Sequence, residues 1–163
     1  MIKIGILSDT HISEISPTFL ENTKKAFANC NIIVHAGDLT DINILSVFAG
    51  KKVHAVAGNC CNTRTAQSLP YHTHFELYGK IFVVTHGAGG PRHNIEDRLF
   101  EAYPEADCII YGHTHIPVAH KTAGTYYINP GSFKSTGTFG APGTYAIAEV
   151  SNTSISAKIL EIS

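Results

Sequence analysis

The sequence predicts an α/β protein in which two mixed sheets face each other with helices outside them. Three observations carry that expectation. Apolar runs alternate with segments of helical period through the first third of the chain, the order of a parallel sheet. From Tyr71 onward the pattern changes to short apolar runs paired across tight turns, the order of antiparallel strands. Five of the apolar runs also end in a polar residue beside a glycine or a turn. A length of 163 residues favours one domain, spanning 1–163, around one core.

Residues 2–8 are apolar at nearly every position, so they read as a strand covered on both faces. Ser16-Pro17 reads as an N-cap followed by proline in the first turn. Phe19, Leu20, Thr23, Ala26, Phe27 and Cys30 then recur at helical spacing, which predicts an amphipathic helix over about 17–29. Residues 32–36 are a second strand ending in Gly37-Asp38. Residues 42–48 are a second helix, with Asp41 as its N-cap and Gly50 as its stop. Residues 53–57 are a third strand ending in Gly58-Asn59. Residues 73–77 and 80–85 flank Tyr78-Gly79 as a hairpin whose second strand ends in His86-Gly87. Asn94 is placed to cap a helix over about 95–103, and Cys108 to Tyr111 is a short buried strand. The last part reads as antiparallel, 118–121 with 125–128 and 144–150 with 154–160, joined by loops at 129–132 and 139–143. The glycine-rich stretch 87–93 lacks bulky anchors and reads as a lid.

Charged residues are 15% of the chain and the net charge is −1, so bulk charge points to neither nucleic acid nor an anionic membrane. No apolar run has membrane-spanning length, and the N-terminus lacks a signal-peptide layout. Cys30, Cys60, Cys61 and Cys108 do not form a disulfide framework in a chain this long, which fits a reducing cytoplasm.

The chemistry centres on Tyr111-Gly112-His113-Thr114-His115. At a strand end the glycine frees the backbone to turn, so the two imidazoles can converge. Neutral histidines suit Zn²⁺, Mn²⁺, Fe or Ni²⁺ better than Ca²⁺ or Mg²⁺. Alone, His-x-His is as readily a surface or packing feature. The other strand ends carry Asp9 and His11, Asp38, Asn59 and His86, where ligands of open α/β sheets bind. Seven donors are too many for one metal and enough for two if Asp38, central in the order, bridges them. Each residue also has a plainer reading: Asp9 or Asp38 as a helix cap, Asn59 as a turn residue, His86 as a polar core histidine.

Asp9-Thr10-His11, Gly37-Asp38, Gly58-Asn59, Thr85-His86-Gly87 and Gly112-His113-Thr114-His115 resemble the five ordered motifs of the calcineurin-like metallophosphoesterase superfamily. Cys60, the Asn129-Pro130-Gly131-Ser132 loop and the short chain resemble its small prokaryotic phosphodiesterase branch. The resemblance spans about residues 2–133 and implies a four-layer αββα sandwich with two metals between the sheets. By matching position, Asp9, His11, Asp38 and His115 would hold one metal, and Asp38, Asn59, His86 and His113 the other. Asp38, Asn59 and His86 would be the catalytic group. Two divalent ions are implied, Mn²⁺ first, then Ni²⁺, Fe, Zn²⁺ or Mg²⁺. A hydroxide shared by the pair would attack phosphorus in line, making the chain a phosphodiesterase acting on a small phosphate ester. The alternatives are a phosphomonoesterase or nucleotidase, a non-catalytic scaffold like the retromer subunit of the same fold, or a metal buffer. Small relatives are often oligomers, so self-association is a further expectation.

Three positions depart from the pattern. Cys60 stands where many members carry histidine, Cys61 where an acidic residue is common, and Ala88 where a second histidine often follows. The cysteines read either as small hydrophobes in a turn or as a redox-sensitive or metal-adjacent thiol. Arg64, Arg92 and Lys134 are candidates to reach a phosphate, and His93 to act on the substrate side. His35, His54, His72, His74 and His120 are read as structural.

Overall fold

The computed structural model of the chain describes residues 1–135 and 141–163. Its elements are β1 (Ile2–Leu7), α1 (Pro17–Phe27), β2 (Ile32–His35), a 3₁₀ helix (Ile42–Phe48), β3 (Lys52–Ala55), α2 (Thr63–Ser68), β4 (His72–Leu77), β5 (Lys80–Thr85), α3 (Ile95–Ala102), β6 (Cys108–Ile110), β7 (Val118–Thr122), β8 (Thr125–Asn129), β9 (Thr144–Val150) and β10 (Ile155–Glu161). They form two five-stranded mixed sheets, ordered β10-β9-β1-β2-β3 and β4-β5-β6-β8-β7. In the first, β1, β2 and β3 run parallel and β9 and β10 close the edge antiparallel. In the second, β5, β6 and β8 run parallel between antiparallel β4 and β7.

Three apolar clusters make the layers. Ile4, Ile6, Val34, Phe82, Val84, Ile110 and Ala148 fill the space between the sheets. Leu7, Phe27, Ile33, Ile44 and Phe48 pack under α1 and the 3₁₀ helix. Val83, Leu99, Ile109 and Tyr127 pack under α3. Alternate residues of β1 thus face different clusters, which is why the strand is apolar throughout. The carboxyl ends of β1, β2, β5 and β6 all open on one end of the sandwich.

Several local expectations are met by side chains. Ser16 Oγ accepts the Phe19 N–H at 3.1 Å, with Pro17 in the first turn. Asp41 Oδ1 accepts the Asn43 N–H at 2.8 Å as the cap of residues 42–48. Tyr78 and Gly79 take φ of 52° and 73°, the two left-handed residues of a type I′ hairpin.

Others are corrected. Residues 42–48 form a 3₁₀ helix, and the α2 turn, capped by Asn62, carries no apolar period that would announce it. Strand β8 is antiparallel to β7 as expected but also parallel to β6, which joins the β7–β8 hairpin to the second sheet. Asn94 sits at the N-cap of α3 without a capping bond, because φ −121° and ψ 26° leave the extended region that aims the side chain at the first turn. The 87–93 stretch is staked to α3: Arg98 Nη2 donates to the Gly87 and Pro91 carbonyls at 3.1 and 3.0 Å. Of the expected 139–143 loop, Phe139 and Gly140 lie outside the described residues, and Ala141, Pro142 and Gly143 have no regular structure. No helix among the described residues is long and apolar enough to cross a membrane.

His35 is fully buried and ties two of the motif loops together. Its Nδ1 accepts the Gly37 N–H at 3.2 Å, so Nε2 carries the proton and donates to Thr10 Oγ1 at 3.1 Å. Burial, aided by the positive charge of His86, lowers its pKa to about 3. In the unfolded chain the group titrates near its ordinary 6.5, so between these values the unfolded state binds more protons. Its contribution is therefore complete above about 6.5 and is lost as pH falls toward about 3. Urea unfolding of chelated protein should show this slope, and His35→Gln should flatten it while lowering stability at pH 7; an unchanged slope would assign the acid sensitivity to other groups.

Candidate metal centre

The loops that follow β1, β2 and β6 share an unusual backbone. Asp9 and His11, Asp38 and Thr40, and His113 and His115 all have positive φ, between 49° and 69°. Each left-handed non-glycine residue costs roughly 1–3 kcal/mol and persists only where its surroundings over-determine it. Here the loops hold one another: Asp9 N–H donates to the Gly37 carbonyl at 2.9 Å and His11 N–H to the Asp38 carbonyl at 3.0 Å. Alternate left-handed residues let Asp9 and His11 turn toward the same space, 3.7 Å apart. The bend at 111–115 is therefore made by the histidines themselves. Gly112 serves another purpose: a Cβ there would overlap Ser8 Oγ and stand 2.8 Å from Asp9 Oδ2.

Three donors are each anchored by one atom so that another is presented. Asp9 Oδ2 accepts from Ser8 Oγ at 2.6 Å and from His113 N–H at 3.1 Å, leaving Oδ1 to the centre. Asp38 Oδ1 accepts the Cys60 N–H at 2.8 Å, leaving Oδ2. His86 Nδ1 donates to the Ala36 carbonyl at 2.8 Å, leaving Nε2. Such outer contacts fix ligand orientation in metal sites.

The presented atoms meet. Asp9 Oδ1 lies 3.2 Å from His115 Nε2, 3.7 Å from His11 Nε2 and 3.8 Å from His86 Nε2. Asp38 Oδ2 lies 3.2 Å from His86 Nε2 and 3.9 Å from His11 Nε2. Asn59 Oδ1 is 3.0 Å from His86 Nε2, and His11 Nε2 faces His115 Nε2 at 3.5 Å. Two carboxylates and three imidazole nitrogens aimed at one another bring together more lone pairs than protons satisfy, and divalent cations fit this donor set. Asp9, His11 and His115 form one group able to hold a metal, Asp9, Asp38 and His86 a second, and His11, Asp38 and Cys60 a third.

The electrostatics agree. Burial alone would raise the Asp38 carboxyl, but the hydrogen bond and charge of His86, the Cys60 N–H and His11 hold it at about 2. Burial alone would lower His86, yet its bond to Asp38, the charges of Asp9 and Asp38 and the Ala36 carbonyl raise it. Burial pushes the Cys60 thiol up, with the Asp38 carboxylate adding to it.

Of the seven expected donors, Asp9, His11, Asp38, Asn59, His86 and His115 come together. His113 stands at the rim: its ring is 5.1 Å from that of His86, and its Nε2 accepts from Arg92 Nε at 3.3 Å. Arg64 is drawn away to Asp41 at 2.9 Å. Cys61 turns from the centre, its Sγ accepting the Gly58 N–H at 3.3 Å. The bracing roles of two loop residues escape a sequence reading. Asn129 Nδ2 donates to the Gly112 carbonyl and Thr114 Oγ1 at 3.0 and 2.9 Å, and Ser132 Oγ to the Asp9 carbonyl at 2.8 Å. Their signal in the sequence is the Asn129-Pro130-Gly131-Ser132 loop, which carries the resemblance but announces no bracing role.

Residues 2–153 match the calcineurin-like phosphoesterase superfamily domain. A probable metallophosphoesterase of Methanothermobacter thermautotrophicus is 33% identical over 131 residues, covering 79% of this chain and 76% of the relative. A phosphodiesterase of Methanocaldococcus jannaschii is 26% identical over 148 residues, covering 80% of this chain and 83% of the relative. The crystal structure of Vps29 from Chaetomium thermophilum superposes with a TM-score of 0.79 at 17% identity, covering 99% of this chain and 86% of that one, a likeness of fold alone. The match along nearly the whole sequence, on a four-layer fold whose loops bring carboxylates and imidazoles to one point, places this protein in the calcineurin-like phosphoesterase superfamily, a family of metal-dependent hydrolases.

Proposed function

We propose that the chain is a phosphodiesterase that hydrolyses a small phosphate diester at a two-cation centre. The observation that carries this reading is the meeting of Asp9 Oδ1 and Asp38 Oδ2 with the Nε2 atoms of His11, His86 and His115. Asp9, His11 and His115 would hold one cation and Asn59 and His86 the other, with Asp38 shared between them and His113 at the rim. Bound there, divalent cations neutralise phosphate charge and make water a nucleophile near neutral pH. The chain's own residues do the rest. Cys60 N–H and Ser8 Oγ keep the two carboxylates aimed. The neutral amide of Asn59 adds a donor without adding negative charge, which suits an anionic substrate.

Two cavities flank the His113-Thr114-His115 loop. One of about 420 Å³ runs beside His11 and His115, with Lys134, Ser132, Pro117 and Pro142 in its walls. The other, about 340 Å³, lies past Thr114, with Arg92, His93 and Ile116. The first cavity, which His11 and His115 line, gives a phosphate at the centre room for an ester arm, whereas none of the donors lines the second. No imidazole stands at position 60 to protonate a leaving alcohol, so esters with good leaving groups turn over fastest.

The test is hydrolysis of bis-p-nitrophenyl phosphate beside p-nitrophenyl phosphate by protein stripped with chelator and reloaded with Mn²⁺, Ni²⁺, Mg²⁺ or Zn²⁺. Diester turnover that requires added metal is the expected result. A preference for the monoester would replace the reading with a phosphatase, and metal binding without turnover would replace it with a scaffold.

A further inference from the structure

We propose that Cys60 is a ligand of the cation centre, its thiolate joining His11 and Asp38 and turning this chain toward thiophilic ions such as Zn²⁺, Fe²⁺ or Co²⁺. The inference rests on the two-cation reading above and deepens it. One donor atom from each of His11, Asp38 and Cys60 lies within 4.8 Å of the others. The backbone ties this thiol to the carboxylate that would bridge the cations, through the 2.8 Å bond from Cys60 N–H to Asp38 Oδ1. Asn59 Nδ2 donates to Cys60 Sγ at 3.6 Å, so the amide whose oxygen faces His86 also holds the sulfur on the donor side of the loop. Cys60 is exposed, so an ion in solution can reach it. Its neighbour differs: Cys61 Sγ is engaged by the Gly58 N–H, and Cys61 packs against the outer apolar cluster. Of the adjacent pair, only Cys60 belongs to a metal-holding group.

The chemistry follows from the donor. On cation entry the thiol proton leaves to solvent and one metal–sulfur bond forms, with no change of oxidation state. A metal–sulfur bond is longer than a metal–nitrogen bond, about 2.3 Å against about 2.0 Å for Zn²⁺, so a sulfur can reach the ion from the outer side of the donor set. Carboxylate and imidazole already bind Zn²⁺ more tightly than Mn²⁺, and a thiolate widens that preference for the softer ions. The Mn²⁺ expected from the family resemblance gives way, in this chain, to Zn²⁺ or Fe²⁺.

Titration of chelator-stripped protein with Co²⁺, followed by absorption, separates the two levels. Visible ligand-field bands report a cation among histidines and carboxylates. A sulfur-to-cobalt charge-transfer band in the near ultraviolet reports the thiolate. The wild type should show both, Cys60→Ser should keep the visible bands and lose the near-ultraviolet band, and Cys61→Ser should keep both. Visible bands without the near-ultraviolet band in the wild type, or a near-ultraviolet band that survives Cys60→Ser, would overturn the assignment and leave the two-cation centre standing. Absence of all bands would overturn both.

Discussion

Replacing Asp38 by asparagine should abolish metal loading and diester hydrolysis together. The substitution is close to isosteric, and the amide oxygen can still accept the Cys60 N–H that Asp38 Oδ1 accepts at 2.8 Å. What changes is the other atom. Asp38 Oδ2 lies 3.2 Å from His86 Nε2 and 3.9 Å from His11 Nε2, and these two histidines belong to different metal-holding groups. An amide in that place offers one neutral oxygen where two cations would share a charge. Asp38 is held at about pKa 2, so the wild-type carboxylate is ionised throughout the neutral range. Losses of roughly 10–100-fold are typical when a residue behind a ligand is changed. A bridging ligand should cost more than that in both calorimetric metal affinity and turnover. Wild-type turnover in Asp38→Asn would remove Asp38 from the centre. Metal affinity retained while turnover is lost would make it a catalytic group and not a bridge.

Most of the strands and the donors at their ends are local features of the sequence. Ile32 to His35 followed by Gly37-Asp38 shows an apolar run, a turn and a carboxylate within seven residues. The helix at 17–27 announces itself through Ser16, Pro17 and a periodic apolar face. Meetings of residues far apart in the chain have no local signal, and only the family resemblance puts His11 with His115. His11 and His115 are 104 residues apart in sequence, and their 3.5 Å approach exists only once β1 and β6 lie in facing sheets. The left-handed backbone of Asp9, Asp38, His113 and His115 is held by loop-to-loop hydrogen bonds and has only a weak signature in residue type, Asp and His being more tolerant of it than most but glycine the usual occupant. The same holds for Arg98, whose bonds to the Gly87 and Pro91 carbonyls turn an expected lid into a braced loop. His86 beside Gly87 is legible as a donor and His35 as structural, but only packing shows how His35 ties the loops behind the site while His86 is presented to it.

Alanine at Gly112 should cost stability and metal affinity at once. The reason is space, and the backbone at this residue is not left-handed. A Cβ on Gly112 would overlap Ser8 Oγ and come within 2.8 Å of Asp9 Oδ2 and 3.0 Å of the Ala36 carbonyl. Those three groups are already bonded to one another, Ser8 Oγ to Asp9 Oδ2 at 2.6 Å and to the Ala36 carbonyl at 3.3 Å. Neither a carbonyl nor a buried carboxylate can swing aside as an exposed side chain would. Overpacking of this kind costs about 1–3 kcal/mol. The displaced group is also the one that aims the site. If Asp9 moves, its Oδ1 leaves the convergence of His11, His86 and His115, and the His113 N–H loses its acceptor. Gly50→Ala supplies the comparison: φ is 87° with nothing within 4 Å, so backbone strain is its whole penalty. Urea unfolding should show both variants destabilised, while calorimetric titration with Zn²⁺ or Mn²⁺ should show weakened binding in Gly112→Ala alone. Equal metal affinity in the two would mean that the His113 loop and Asp9 find their positions independently, and that the contact between the sheets at this point serves the fold and not the centre.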